Sequence, residues 1–78
     1  QVDSLLSKSI TAPMMGEVIQ VLVNEGDSVK AGQLLIVMES MKMQLQIEAI
    51  HDGVVSELYC QIGNNVAKSA VLVDVDAQ

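Results

Sequence analysis

The stretch Leu34–Ala49 reads LLIVMESMKMQLQIEA and lies at the centre of the chain. Its first part is a continuous aliphatic run, and in its last part, residues 43–49, apolar and polar side chains alternate. A period of two is typical of a half-buried β-strand. Two strands this close together predict a two-residue hairpin with Met41 and Lys42 at its tip. Neither residue belongs to the Asn-Gly or Gly-X pairs that are usual in such turns.

The rest of the chain also consists of short β-rich runs between turn signals. Glycine, asparagine and aspartate interrupt the sequence too often for a long helical stripe, and β-branched residues dominate the runs. Alternation fails within residues 17–23, which predicts a β-bulge there. We therefore predict an all-β domain with strands at residues 9–12, 17–23, 34–39, 43–50, 54–60 and 71–76.

An internal repeat relates these strands. A shift of 37 positions aligns residues 12–39 with residues 49–76 without a gap. The identical pairs are Ala12/Ala49, Gly16/Gly53, Val18/Val55, Gly26/Gly63, Val29/Val66 and Leu35/Leu72. The two glycine pairs carry most weight because a glycine reports a backbone requirement. We interpret the repeat as two like halves of three or four strands, whose two sheets pack as a flattened sandwich with quasi-twofold symmetry.

Composition argues against several classes of function. Ten acidic residues against four lysines give a net charge of −6, and Tyr59 is the only aromatic residue. Binding to nucleic acid needs basic phosphate contacts and stacking platforms, so neither nucleic acid nor an anionic membrane is expected as a partner. A single cysteine, Cys60, excludes an internal disulfide, and no cysteine–histidine cluster has metal-ligand spacing.

Lys42 is the main candidate for function, because two methionines flank it at the predicted joint between the halves. An ordinary surface lysine is the simpler interpretation, and it suffices for Lys8, Lys30 and Lys68. Between Met41 and Met43, however, a primary amine is placed where another protein can recognise and modify it.

The other methionines, His51 and Cys60 are expected to have structural and not functional roles. Methionine fills gaps in a core that lacks aromatic residues, so core positions are expected for Met14, Met15, Met38 and, by its parity, Met43. His51 is expected at the surface of a turn without a nucleophile beside it. Cys60 is expected as a small buried residue on a strand.

Several motifs resemble one known family. Glu39-Ser40-Met41-Lys42-Met43 resembles the Ala-Met-Lys-Met attachment motif of biotinyl, or biotin carboxyl carrier, domains. The resemblance spans about residues 9–76, and its other matching segments are residues 12–16, 25–34, 52–53 and 63–66. Three residues depart from the family pattern: Ser40 stands in place of Ala, Met15 in place of Pro, and Ser69 occupies the position aligned with Gly32.

The resemblance implies a lipoyl/biotinyl-type hammerhead, a flattened β-barrel of two four-stranded antiparallel sheets. It implies that a biotin protein ligase attaches biotin to Lys42, with Met41 and Met43 as flanking recognition residues and Glu39 and Ser40 as the hairpin context. The attached biotin would carry carboxylate from a biotin carboxylase site to a carboxyltransferase site. The domain itself would have no catalytic residue and no metal, since the cofactor holds the chemistry.

Two other functions remain open from the sequence. Lipoyl carriers of 2-oxo acid dehydrogenases or glycine-cleavage systems share the fold and often have Ser or Thr at the position of Ser40. Their lysine usually lacks the two flanking methionines, so biotin is favoured. The third alternative is an unmodified β-sandwich adaptor that joins larger domains.

The expected organisation is a lead-in at residues 1–8, a biotinyl domain at 9–76 and a tail at 77–78. The chain has neither a starting Met nor a cleavable-signal pattern, so we expect part of a larger protein. An acyl-CoA carboxylase subunit is the expected parent. The domain is expected to be monomeric and cytoplasmic, or in the mitochondrial matrix if the source is a eukaryote.

Overall fold

The computed structural model describes residues 9–77, and these form strands without any helix. The predicted lead-in at 1–8 lies outside the described residues. In chain order the strands are β1 (Ser9–Thr11), β2 (Gly16–Val21), β3 (Ser28–Val29), β4 (Leu34–Ser40), β5 (Met43–Glu48), β6 (Gly53–Leu58), β7 (Asn65–Val66) and β8 (Val71–Ala77). The predicted all-β class is confirmed. Strand β8 includes Ala77, which pairs with Gly53, so assigning Ala77 to a tail was wrong.

Two four-stranded antiparallel sheets make up the domain. One has the order β1-β8-β6-β3 and the other β5-β4-β2-β7. The expectation that each half forms its own sheet was wrong, since each sheet combines strands of both halves. The short strands β3 and β7 cross over to pair with β6 and β2 of the other half. The halves therefore interlock, and the two sheets share one core.

The sequence repeat is a repeat of the backbone. Strands β2, β3 and β4 correspond position by position to β6, β7 and β8 under the same shift of 37 residues. The register between β2 and β4 shifts between Val18 and Gln20, and that between β6 and β8 shifts between Val55 and Glu57. The bulge predicted within residues 17–23 is confirmed, and it has an equivalent in the second half.

The core between the sheets is aliphatic, as the composition requires. Its largest fully buried side chains are Leu35, Ile36, Met38, Leu72, Val18, Val55, Val73 and Val75. Leu35 and Leu72 are buried although their immediate neighbours Ile36 and Val73 are buried too. Each is skipped in the register with the neighbouring strand, so a bulge interrupts strict alternation at both places.

Two glycines allow the strands to approach closely. A Cβ on Gly16 would lie 2.6 Å from the carbonyl oxygen of Glu39, and a Cβ on Gly53 would collide with the carbonyl oxygen of Asp76. These two positions are equivalent in the repeat. Both positions are glycine because the neighbouring strand leaves no room for a Cβ atom.

Equivalent hydrogen bonds close the equivalent turns at residues 24–27 and 61–64. The backbone N–H of Asn24 donates to Asp27 Oδ2 over 2.8 Å, and that of Gln61 donates to Asn64 Oδ1 over the same distance. An aspartate and an asparagine thus fulfil one role, because both offer a side-chain oxygen at the right place.

Candidate functional site

The β4–β5 hairpin places Lys42 at its tip, as predicted. Ser40 pairs with Met43, and the two residues between them both have positive φ, 51° for Met41 and 68° for Lys42. Positive φ at both central positions defines a type I′ turn, the kind that matches the twist of a hairpin. Left-handed backbone costs about 1–2 kcal/mol for a residue with a side chain. The flanking strands therefore hold this turn against the preference of its residues.

Strand β4 holds the hairpin in place. It lies between β5 and β2 in its sheet, and its register with β5 continues from Leu34 opposite Glu48 to the tip. Its side chains include the fully buried Met38. The core thus fixes the base of the hairpin, and the turn projects together with the first residues of β5.

Ser40 and Glu39 form the base of the tip on opposite faces of β4. Ser40 is buried and Glu39 is exposed. The Cβ atom of Ser40 lies 3.2 Å from the place where Gly16 would carry a Cβ. A small side chain at Ser40 is therefore required by packing against β2, and serine meets this requirement as the alanine of the motif would.

The three central residues of the motif are exposed. Met41 is 84% and Met43 57% exposed, and Lys42 is also exposed. Within residues 9–77, Lys42 takes part in no hydrogen bond or ion pair. The expectation of a core position for Met43 was wrong, because it lies at the projecting end of β5, beyond the buried part of the sheet. The amine is accessible and has an apolar side chain on either side.

A groove lies beside this tip. Its volume is ≈ 750 Å³, and its lining is mainly apolar. It runs between the loop before β2 and the segment that contains β7, with the end of β4 at its base; the lining residues that matter below are Met14, Met15, Met41, Asn65, Val66 and Lys68. Met15 is 69% exposed and Met14 is also exposed. The expectation of core positions for both was therefore wrong, since the loop turns them outward.

A polar network on the other sheet was not predicted. Tyr59 donates its hydroxyl to Asp74 Oδ2 over 2.7 Å, and Ser9 donates to Asp74 Oδ1 over 2.7 Å. The hydrogen bond to Asp74 is the main cause that raises the pKa of Tyr59 to about 12, with desolvation and the charges of Asp74 and Glu57 adding to it. In sequence, these residues had no spacing that indicated a cluster.

Cys60 and His51 offer no catalytic arrangement. Cys60 is buried, as predicted, but lies just after β6 and not on a strand. Burial raises the pKa of its thiol, which disfavours the nucleophilic thiolate. His51 is half-buried in the turn before β6, where its Nδ1 lies 3.0 Å from the carbonyl oxygen of Asp52. In the part of the chain from 9 to 77, no group of three or more acidic, histidine or cysteine residues could hold a metal ion.

The structure is thus a small domain of two interlocked four-stranded sheets with an exposed lysine at the tip of a projecting hairpin. The chain belongs to the biotin/lipoyl attachment family: the sequence model of that family, described as "Biotin-requiring enzyme", matches residues 8–75. The family predicted from the residues around Lys42 is thus confirmed.

Similar proteins include subunits of a carboxylase and a decarboxylase and a biotin carboxyl carrier protein. The chain is 37% identical over 67 residues to the biotin-dependent acyl-coenzyme A carboxylase alpha3 subunit of Mycobacterium leprae, covering 86% of the chain and 11% of that protein. It is 47% identical over 51 residues to the methylmalonyl-CoA decarboxylase subunit gamma of Veillonella parvula, covering 65% of the chain and 40% of that protein. The matched part of the chain thus spans about a tenth of the length of the first relative and two fifths of the length of the second. The biotin carboxyl carrier protein of acetyl-CoA carboxylase from Solanum lycopersicum is 40% identical over 58 residues, which cover 74% of the chain and 83% of that protein.

Solved structures show the same fold. A single-chain, multi-domain long-chain acyl-CoA carboxylase matches with a TM-score of 0.85 and 27% identity, over 90% of the chain and 7% of that protein. The lipoyl domain of the 2-oxoglutarate dehydrogenase complex from Azotobacter vinelandii matches with a TM-score of 0.78 and 25% identity, over 90% of the chain and 96% of that domain. The predicted hammerhead of two four-stranded sheets is confirmed. In residues 9–77 there is also no helix with the length and apolarity to cross a membrane.

Proposed function

We propose that this chain is a biotin carboxyl carrier domain and that Lys42 is its attachment site. The observation that carries the proposal is an exposed lysine amine at the tip of a type I′ hairpin, between two exposed methionines. Membership in the attachment family supports it, as do the carrier proteins among the relatives. When bound through an amide to this amine, biotin supplies a ureido ring that takes up carboxylate at one active site and releases it at another.

The residues present fit a covalently attached biotin. No partner within residues 9–77 competes for the amine of Lys42, so the acylated side chain can project without breaking an interaction of the fold. The turn is held by β4 and β5 and not by the lysine itself. Loss of the positive charge on amide formation therefore leaves the domain unchanged.

The role of the domain itself is to present Lys42 to partner enzymes. Met41 and Met43 place flexible apolar side chains on either side of the lysine, and such surfaces suit recognition by more than one partner. Glu39 and Ser40 fix the base of the tip. As a tether, the domain raises the effective concentration of its cargo at each partner site.

The proposed partners are a biotin protein ligase, a biotin carboxylase and a carboxyltransferase. The carboxylases among the relatives support the last two. We propose an acyl-CoA carboxylase as the parent enzyme, a monomeric state for the isolated domain, and a cytoplasmic location, or the mitochondrial matrix in a eukaryote.

Lipoylation is the competing function, because the fold is shared with a lipoyl domain. The test is the intact mass of the chain after co-expression with a biotin protein ligase and, separately, with a lipoate ligase. We expect one biotin adduct mapped to Lys42, none in K42R, and an unchanged adduct in the matched variant K68R. A lipoyl adduct alone would support the competing function, and no adduct with either ligase would support the unmodified adaptor.

A further inference from the structure

The groove beside the hairpin lies where the two halves of the repeat differ. In the second half, the loop before β6 is fastened to the opposite turn, because the backbone N–H of Ala31 donates to Asp52 Oδ1 over 2.8 Å. The equivalent residues of the first half are Lys68 and Met15. A methionine side chain offers only a weak acceptor, and Met15 extends into solvent. The loop before β2 is therefore not fastened in this way to the segment after β7.

We propose that this groove is the resting site of the biotinyl arm attached to Lys42, which folds back onto the domain when no partner enzyme holds it. The inference rests on the proposed function, since it needs an arm on Lys42. It assigns a role to Met14 and Met15, which the presentation of the lysine does not use.

The position of the groove suits an arm that starts at Lys42. Met41, the residue before the attachment site, lines the groove together with the buried Ser40. An extended biotinyl-lysine measures about 14 Å from its Cα atom to the ring, given ordinary bond lengths. Because Met41 precedes Lys42 in the same turn, the arm starts beside the groove.

The lining matches the chemistry of the arm. An aliphatic chain and a thioether-containing ring gain from burial against Met14, Met15 and Val66, which form apolar walls. The polar ureido group needs hydrogen bonds once it leaves water. The backbone N–H of Lys68 has no partner among residues 9–77, and the side chain of Asn65 offers both a donor and an acceptor.

The resting site is tested by the methyl signals of the methionines. The 78-residue chain, labelled with ¹³C at its methionine methyl groups, is compared before and after biotinylation that has been verified by mass. We expect Met14 and Met15 to shift and to give nuclear Overhauser contacts to the biotin ring. Met38, fully buried in the core, should stay unchanged. Shifts confined to Met41 and Met43, without contacts from the ring to Met14 or Met15, would overturn the resting site.

The variant M15D supplies a second test, because it copies the aspartate of the other half. Its carboxylate should accept the N–H of Lys68 as Asp52 accepts that of Ala31, which closes the groove. We expect the ring contacts to Met14 to disappear, the exchange of the Lys68 amide proton with solvent to slow, and biotinylation to continue. The matched control is I62D, since Ile62 is 64% exposed and lies outside the groove; it should keep the contacts.

The outcomes separate this inference from the proposed function. A chain that takes up no biotin overturns both. A biotinylated chain whose ring contacts are absent, or equally strong in wild type and M15D, overturns the resting site alone. Loss of the contacts in M15D and their persistence in I62D supports it.

Discussion

The two halves of the repeat share one backbone and differ at their ends. Strands β2 to β4 and β6 to β8 agree in length, in bulges and in the bonds that close their turns. Strand β4 continues through the Met41–Lys42 turn into β5, whereas β8 forms no such hairpin within the described residues. The shared glycines and bulges serve the fold, and the candidate site lies in the hairpin that joins the halves.

The largest expected effect on biotinylation falls on the hairpin that joins the two halves. In M41A or M43A, the loss of an exposed apolar contact should cost about 1–2 kcal/mol of ligase recognition, roughly 5–30-fold in kcat/KM for biotinylation. The free energy of unfolding should change by less than about 0.5 kcal/mol, because both side chains are exposed. Biotin incorporation and urea denaturation measure the two quantities.

The control for this prediction is M38A, which truncates the fully buried methionine of β4. It should lower the free energy of unfolding by about 2–5 kcal/mol through the cavity it leaves. If M41A or M43A destabilised the domain as much as M38A, these methionines would be structural and not recognition residues.

A loss of stability, and not of ligase recognition, is expected where the halves agree most closely, at the two glycines that lie against the neighbouring strand. G16A and G53A each bring a Cβ against a backbone carbonyl oxygen, which cannot rotate away. Each should lower the free energy of unfolding by about 1–3 kcal/mol, with G53A nearer the upper value because its contact is closer. Urea denaturation measures both, and Q44A on an exposed position of β5 is the control. A loss no greater than that of Q44A would show that the strands can separate at little cost.

Gly32 and Ser69 occupy equivalent positions in the repeat but are different residues. Exchanging each for the other should change the stability of the domain in opposite directions. Their φ angles are 85° and 71°, in a region that costs about 1–2 kcal/mol for a residue with a side chain. G32S should therefore destabilise the domain by about 1 kcal/mol. S69G should stabilise it by less, because the unfolded chain gains freedom when glycine is introduced. The unfolding temperatures of both variants test this prediction. Shifts of both temperatures in the same direction would contradict it.

The smallest effect concerns Tyr59, whose counterpart in the first half is Leu22. The hydrogen bond to Asp74 raises the pKa of Tyr59 to about 12 from its usual 10.0. The folded state thus holds this proton more tightly than the unfolded state, and the resulting stabilisation is present below pH 10 and lost as the pH rises through about 12. Ultraviolet titration of this single tyrosine measures the shift. An apparent pKa near the usual value would exclude the bond, and Y59F should remove the pH-dependent step.

The fold was predictable from sequence because glycines and alternating side chains report backbone geometry directly. The hairpin at Lys42 and the bulge in β2 followed from such local patterns. The mixing of halves between the sheets did not, since a repeat shows which segments are alike but not which segments pair. The outward positions of Met14 and Met15 were also missed, because apolar character alone does not tell a core residue from one on a projecting loop. The network around Tyr59 depends on contacts between distant strands.

The mixing of strands between the sheets has a consequence for synthesis of the domain. Strand β1 pairs with β8, so during synthesis the first strand of this domain has no partner until the last strand of the domain is made. The core beneath β4 likewise includes Leu72, Val73 and Val75 of β8. Since pairing between strands so far apart in sequence makes folding slow and cooperative, a chain that stops before β8 cannot complete its core. The lysine hairpin therefore gains its rigid base only when the whole domain has emerged, which links readiness for modification to completion of the domain.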